Sequence, residues 1–217
     1  MKSSRSVLSF AVLFASILWV QAGTNTFIPF GSFWTYLDNG SNQGTNWSQP
    51  GFNDGPWSSG LGPLGYGNNE TELGTVVSYG PNAANKYITT YFRQIFEMGN
   101  PEVFTTLRLN VRRDDGIAVY LNGVEVFRNN LAAGAIYTRV ATNAPDNGVV
   151  VFTTLVNALM LIPGDNVVAA EVHQASPSDG DLGFDLELLG STDATTNNLP
   201  NVNISSPANN TFFIQPP

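Results

Sequence analysis

Cysteine is absent from this chain, and histidine occurs once, at His173. No disulfide framework is possible, and neither a thiol nucleophile nor a Cys/His zinc site can be assembled. A lipid-bearing N-terminal Cys is excluded as well. No Ser-His-Asp pattern surrounds the lone His, so a structural or rim role for it ranks ahead of catalysis. Charged residues make up only 12% of the sequence. Helical periodicity is nearly missing: the one segment able to form a helical turn, residues 156–161, is stopped by Pro163. Past residue 22, no stretch reaches the roughly 18 apolar residues of a membrane-spanning helix.

The first 22 residues read as an export signal. Lys2 and Arg5 form a basic start, residues 7–20 are apolar apart from small serines, and Val20-Gln21-Ala22 has the small-residue spacing of a cleavage site. This predicts an extracellular or cell-surface protein that begins at Gly23, with no membrane insertion after cleavage. A disulfide-free exported domain of this size rests on its core alone, which suits a bacterial source better than an animal one. The chain has nine basic residues, two of them in the leader, against seventeen acidic ones, so the charge falls from −8 to about −10 on maturation. Nucleic acid and anionic membranes are disfavoured as partners.

What is present is alternation. Residues 112–128, RRDDGIAVYLNGVEVFR, read as a strand, a two-residue turn and a second strand. Asn122-Gly123 suits a type I′ turn, whose central residues both need positive φ. The turn pairs Leu121 with Val124 and Val119 with Val126 on one apolar face. Asp114-Asp115-Gly116 falls at the opposite end, where the sheet meets its loops. Period-2 patterns recur at 87–96, 107–112, 149–155, 167–174 and 184–188. Many short strands with Gly/Pro/Asn punctuation predict an all-β antiparallel sandwich. Residues 38–86, dense in Gly, Asn, Ser and Pro, read as a long irregular excursion pinned by its aromatics. The polar STDATTNN stretch reads as a linker over 191–199, and residues 200–217 begin a new pattern too short to bury a core. The expectation is a fragment of a longer protein, with downstream domains missing.

The segments WTYLDNGSNQGTNWSQPGFNDGPWSSGLGPLGYG (34–67), KYITTYFRQIF (86–96), RRDDGIAVYLNGVEVFRNNL (112–131) and PGDNVVAAEVHQASPSDGDLGFDLEL (163–188) carry a resemblance. In order and spacing they resemble the galactose-binding-like β-sandwich (jelly roll) of large secreted bacterial proteins. They are also similar to the sugar-binding domain of family 2 glycoside hydrolases. NVNISSPANNTFF is similar to the first strand of a bacterial immunoglobulin-like repeat. The resemblance implies a sandwich over 23–190 acting as a non-catalytic accessory module that binds carbohydrate or a surface polymer. A structural spacer or protein-interaction module is the alternative, and a hydrolase in its own right ranks third.

Trp47, Trp57 and Tyr66 are candidate platforms for a sugar ring, with Asp115 and His173 near the rim. The competing reading has the three aromatics pinning the excursion to the sandwich. For Asp114 and Asp115, adjacency puts the two carboxylates on opposite sides of a strand, and turn capping ranks ahead of glycoside chemistry. Asp179, Asp181 and Asp185 offer oxygen ligands for a structural calcium, which the resemblance also suggests, against the simpler reading of a solvated acidic loop. No cofactor is required beyond that ion. Arg93, amid Tyr91 and Phe92, is expected to be buried and paired with Asp114 or Glu171.

Overall fold

The computed structural model describes residues 23–67, 73–144 and 146–192. The expected leader and nearly all of the expected linker and terminal segment lie outside these residues. Twelve strands form two six-stranded sheets, the all-β sandwich predicted. In the first sheet the order is β10 (Phe152–Asn157), β7 (Thr106–Asp114), β12 (Leu182–Ser191), β4 (Leu64–Tyr66) and β5 (Thr75–Val76). The free side of β12 is shared: β4 pairs with its start, and β1 (Thr24–Ile28) pairs with its end. In the second sheet the order is β3 (Ser58–Leu61), β2 (Phe33–Leu37), β6 (Thr89–Met98), β11 (Gly164–His173), β8 (Gly116–Leu121) and β9 (Val124–Asn129). Every pairing is antiparallel except β4 with β5.

Alternation decides what meets between the sheets. Leu107, Leu109 and Val111 of β7 and Phe184, Leu186 and Leu188 of β12 face Phe92, Phe96, Val168, Ala170 and Val172 of the other sheet. Phe184 bridges the layers, stacked 4.2 Å from Phe92 and edge-on 4.9 Å from Trp34. Each such fully buried large side chain contributes about 1.5–3 kcal/mol.

The hairpin forms as predicted, with Asn122 at φ 51° and Gly123 at φ 82°. Leu121 pairs with Val124, but a bulge follows, and Val119 lies opposite Phe127 rather than Val126. The extra residue lets Val126 and Phe127 both pack on the core. The expected excursion carries no strand over 77–86, nor as far as Trp57. Beyond it, β3 joins the second sheet, while β4 and β5 join the first. Of the three short 3₁₀ turns among the described residues, Ala158–Met160 falls where a helical turn was expected; Asn46–Ser48 and Pro101–Val103 were not foreseen.

Candidate functional site

The outer face of the first sheet carries a cleft. On β7 the inward leucines alternate with outward Arg108, Asn110 and Arg112, and on β12 Phe184 and Leu186 alternate with outward Gly183, Asp185 and Glu187. Register sets Asp185 opposite Arg112 and Gly183 opposite Asp114. These residues, with Tyr66 of β4, Asn147 from the loop before β10, and Asp181, line a cavity of about 280 Å³. A Cβ at Gly183 would sit in ordinary contact, 3.6 Å, with that of Asp114.

Asp114 ends β7, and Asp115 lies where the chain crosses from one sheet to the other. Their peptide is cis. The two carboxyls hydrogen-bond to each other and do not face opposite ways, because the chain leaves the strand between them. Asp115 ties two loops, accepting from the backbone N–H of Ala144 at 2.9 Å and of Ala175 at 2.7 Å. Asp114 is 4% exposed. Burial, followed by the charges of Asp181 and Asp115, pushes its carboxyl up to about 8. It is therefore a protonated acid near neutral pH, able to donate as well as accept. Burial also raises Asp185 and Asp115, against the backbone N–H groups that favour their ionised forms.

A second cleft, of about 400 Å³, lies on the outer face of the other sheet. The excursion passes over that face. Trp47 packs edge-on against Tyr91 at 4.7 Å and Tyr120 at 5.6 Å, while Trp57 lies 5.7 Å from Phe52 and 6.3 Å from Tyr91. Beneath it Arg93 is fully buried. Its guanidinium pairs with Asp54 at 2.9 Å, donates to the carbonyls of Trp47 and Gln49, and stacks over the Phe52 ring. The partner is thus Asp54, neither Asp114 nor Glu171, because Arg93 points outward from its sheet into the excursion. Glu171 accepts from the Tyr120 hydroxyl at 2.7 Å and faces His173 at 3.2 Å. His173 has no exposure, and its Nδ1 donates to the Arg139 carbonyl at 2.7 Å.

The residues singled out in the sequence divide between these places. Tyr66, Asp181 and Asp185 line the first cleft, with Asp115 directly behind Asp114. Trp47 lines the second cleft, Trp57 packs beside it, and His173 is buried behind Glu171. Trp47 and Tyr66 are only 3% and 4% exposed, which leaves little ring face for a ligand. Of the carboxylates expected as calcium ligands, Asp179 accepts from the Gly180 N–H and Asp185 from the N–H groups of Gly31 and Leu186. Among the described residues no three His, Asp or Glu side chains gather as a metal site. Sequence reasoning missed Arg112 and Asn147 in one cleft and Tyr120, Tyr137 and Glu171 in the other. The outward positions of alternating strands were the available signal for Arg112, Tyr120 and Glu171.

No family model matches this chain, and no curated protein does. Solved bacterial glycosidases are similar to it over part of their length. A β-glucuronidase from Bacteroides uniformis superposes with a TM-score of 0.50 at 16% identity, over 78% of this chain and 18% of its own. A β-glycosidase from Bacteroides vulgatus gives 0.49 at 15% identity, over 78% and 20%. A β-glucuronidase from an uncultured Clostridium gives 0.48 at 12%, over 83% and 31%. The first match shows a fold in common, a β-sandwich also present within a bacterial glycosidase. This chain spans about a fifth of the length of the first two. Among the described residues no helix is long and apolar enough to cross a membrane.

Proposed function

We propose that this is an exported, non-catalytic accessory module that binds neutral carbohydrate in the cleft on the outer face of the first sheet. The observation that carries this reading is the convergence of Asp114, Asp181, Arg112 and Asn147 in one concavity, where burial pushes the Asp114 carboxyl up to about 8. A sugar hydroxyl both donates and accepts. A neutral carboxylic acid, a carboxylate, a guanidinium and an amide side chain together answer both needs. The surrounding carboxylates disfavour anionic sugars. Leu73, Pro63 and Val149 supply apolar wall for the C–H faces of a ring.

A glycan array followed by calorimetry on the protein tests the reading. Neutral glycans should bind, and Asp181→Asn and Asn147→Ala should each weaken binding about tenfold, the loss of one or two hydrogen bonds. Release of sugar from the bound glycan would move the assignment to a hydrolase. Absence of binding to any glycan would leave the spacer reading, which the burial of Trp47 and Tyr66 favours.

A further inference from the structure

β10 closes one side of the first sheet, and its free edge is unprotected. Its ladder with β7 runs without a shift from Phe152 opposite Val111 to Asn157 opposite Thr106. Among the described residues β10 has no second partner strand. In an antiparallel strand, alternate residues direct their N–H and C=O groups away from the partner, so half of the β10 backbone groups face outward along a regular edge. The other strands with a free side each carry a feature that discourages pairing. β9 is bulged against β8 and holds the Glu125–Arg128 ion pair. The β1 ladder has an irregularity between Thr26 and Ile28. β3 has four residues and β5 two. β10 has six residues, no bulge, no proline and no charge.

The side chains agree with the backbone. Residues 147–164 contain no Asp, Glu, Lys or Arg. Leu155 and Leu159 are 69% and 89% exposed, and Val150, Val151 and Ile162 are exposed as well. Single exposed apolar residues are ordinary, but these five fall along one open edge and its flanks. Charge selects the occupant. The chain carries a net charge of −8, so two copies repel over most of their surface, and this uncharged edge is where they approach at least cost. The charge beside it in register is Arg108, opposite Leu155. Across a pair of β10 strands Arg108 lies at least about 14 Å from its counterpart, three strand spacings and beyond the screening length of about 8 Å. We propose that two copies of this chain join antiparallel across β10, making one continuous sheet from both first sheets. Thr153 and Leu155 of each copy meet on the outer face. The pairing is isologous and consumes both β10 edges, so the assembly closes at two. One short strand is a small interface, which sets a dissociation constant on the order of 100 µM and leaves dilute protein monomeric. A two-fold axis normal to the sheet keeps both outer faces on one side. The two proposed sugar clefts then open in the same direction; only this consequence rests on the sugar reading.

The test is sedimentation velocity on the protein from about 1 to 500 µM, with amide hydrogen exchange at both ends of that range. The sedimentation coefficient should rise with concentration to that of a dimer and no further. The outward amides of residues 152–157 should exchange about threefold more slowly at the high concentration, because pairing occupies them. Leu155→Lys and Thr153→Lys, both at exposed positions, should each weaken association about tenfold or more, with an unchanged melting temperature in dilute protein. Ile95→Lys, exposed on the second sheet, should leave association unchanged. A monomer throughout the range would overturn the proposal. So would association that survives both lysine variants or grows past two copies. Protection of the outward β10 amides already at about 1 µM would overturn it too, and would assign the edge to a segment of the same chain.

Discussion

The two outer faces of this sandwich are built alike and finished differently. On the second sheet the residues between β2 and β3 lie over the face, bury Tyr91 and Arg93 and seal them with Trp47, Phe52 and Trp57. On the first sheet nothing comparable among the described residues lies over Arg108 or Leu155, and those residues close the face around Asp114. A covered face can hold a buried charge because the cover supplies its partners. An open face keeps its charges wet except where loops close over them. The difference shows where in this fold a charge can be structural and where it is free for a ligand.

The largest effect expected is on the covered face. Asp54→Ala leaves the Arg93 guanidinium buried without its carboxylate. Since Asp54 is 16% exposed, the loss should be about 2–3 kcal/mol, below the full cost of a deeply buried pair, read from urea unfolding. A change under about 1 kcal/mol would mean that the cover is dispensable. Gly123→Val comes next, at about 1–2 kcal/mol, since φ is positive there. A Cβ at this position would also meet the side chain of Gln49, so the substitution presses the hairpin against the cover.

On the open face the expected effect is a pH dependence. Asp114 titrates near 8 when folded and near 3.8 when unfolded, so between these values the folded state holds a proton that the unfolded chain releases. This group's contribution to stability is complete below about pH 4, falls as pH rises through 8 and is flat above. Asp115 and Asp185 add the same sign of slope. Urea midpoints across pH 5 to 9 should decline, and Asp114→Asn should flatten the decline; an unchanged slope would place the buried proton elsewhere. The smallest effect belongs to Leu155→Ser, on exposed surface of the same face, at under about 0.5 kcal/mol by the same unfolding assay.

The hairpin was legible because its signal is local: Asn122-Gly123 specifies the turn, and alternation specifies the faces. Its bulge was not, since only packing of both Val126 and Phe127 on the core explains the slip. Ser58–Leu61 has little strand propensity of its own, and pairing with β2 imposes its conformation. Arg93 was read as buried, correctly, but its partner sits 39 positions away in a stretch without periodicity. The first cleft was half legible. Tyr66, Asp181 and Asp185 drew notice as an aromatic and as acids, for unrelated reasons. The pairing of β4 with β12 that brings them together has no local signature.

The first and last described residues of the sandwich are tied together: Gly23 N–H donates to the Thr192 hydroxyl, Thr192 N–H returns a bond to the Gly23 carbonyl, and the β1–β12 ladder starts directly behind them. Tension applied at these two points therefore acts across the ladder, along its hydrogen bonds and not along its strands. The bonds are loaded one at a time, from Thr24–Ser191 inward, as a zip opens. Mechanically the sandwich is a link that gives first at β1. The remaining strands of both sheets stay out of the line of force until that short ladder has parted.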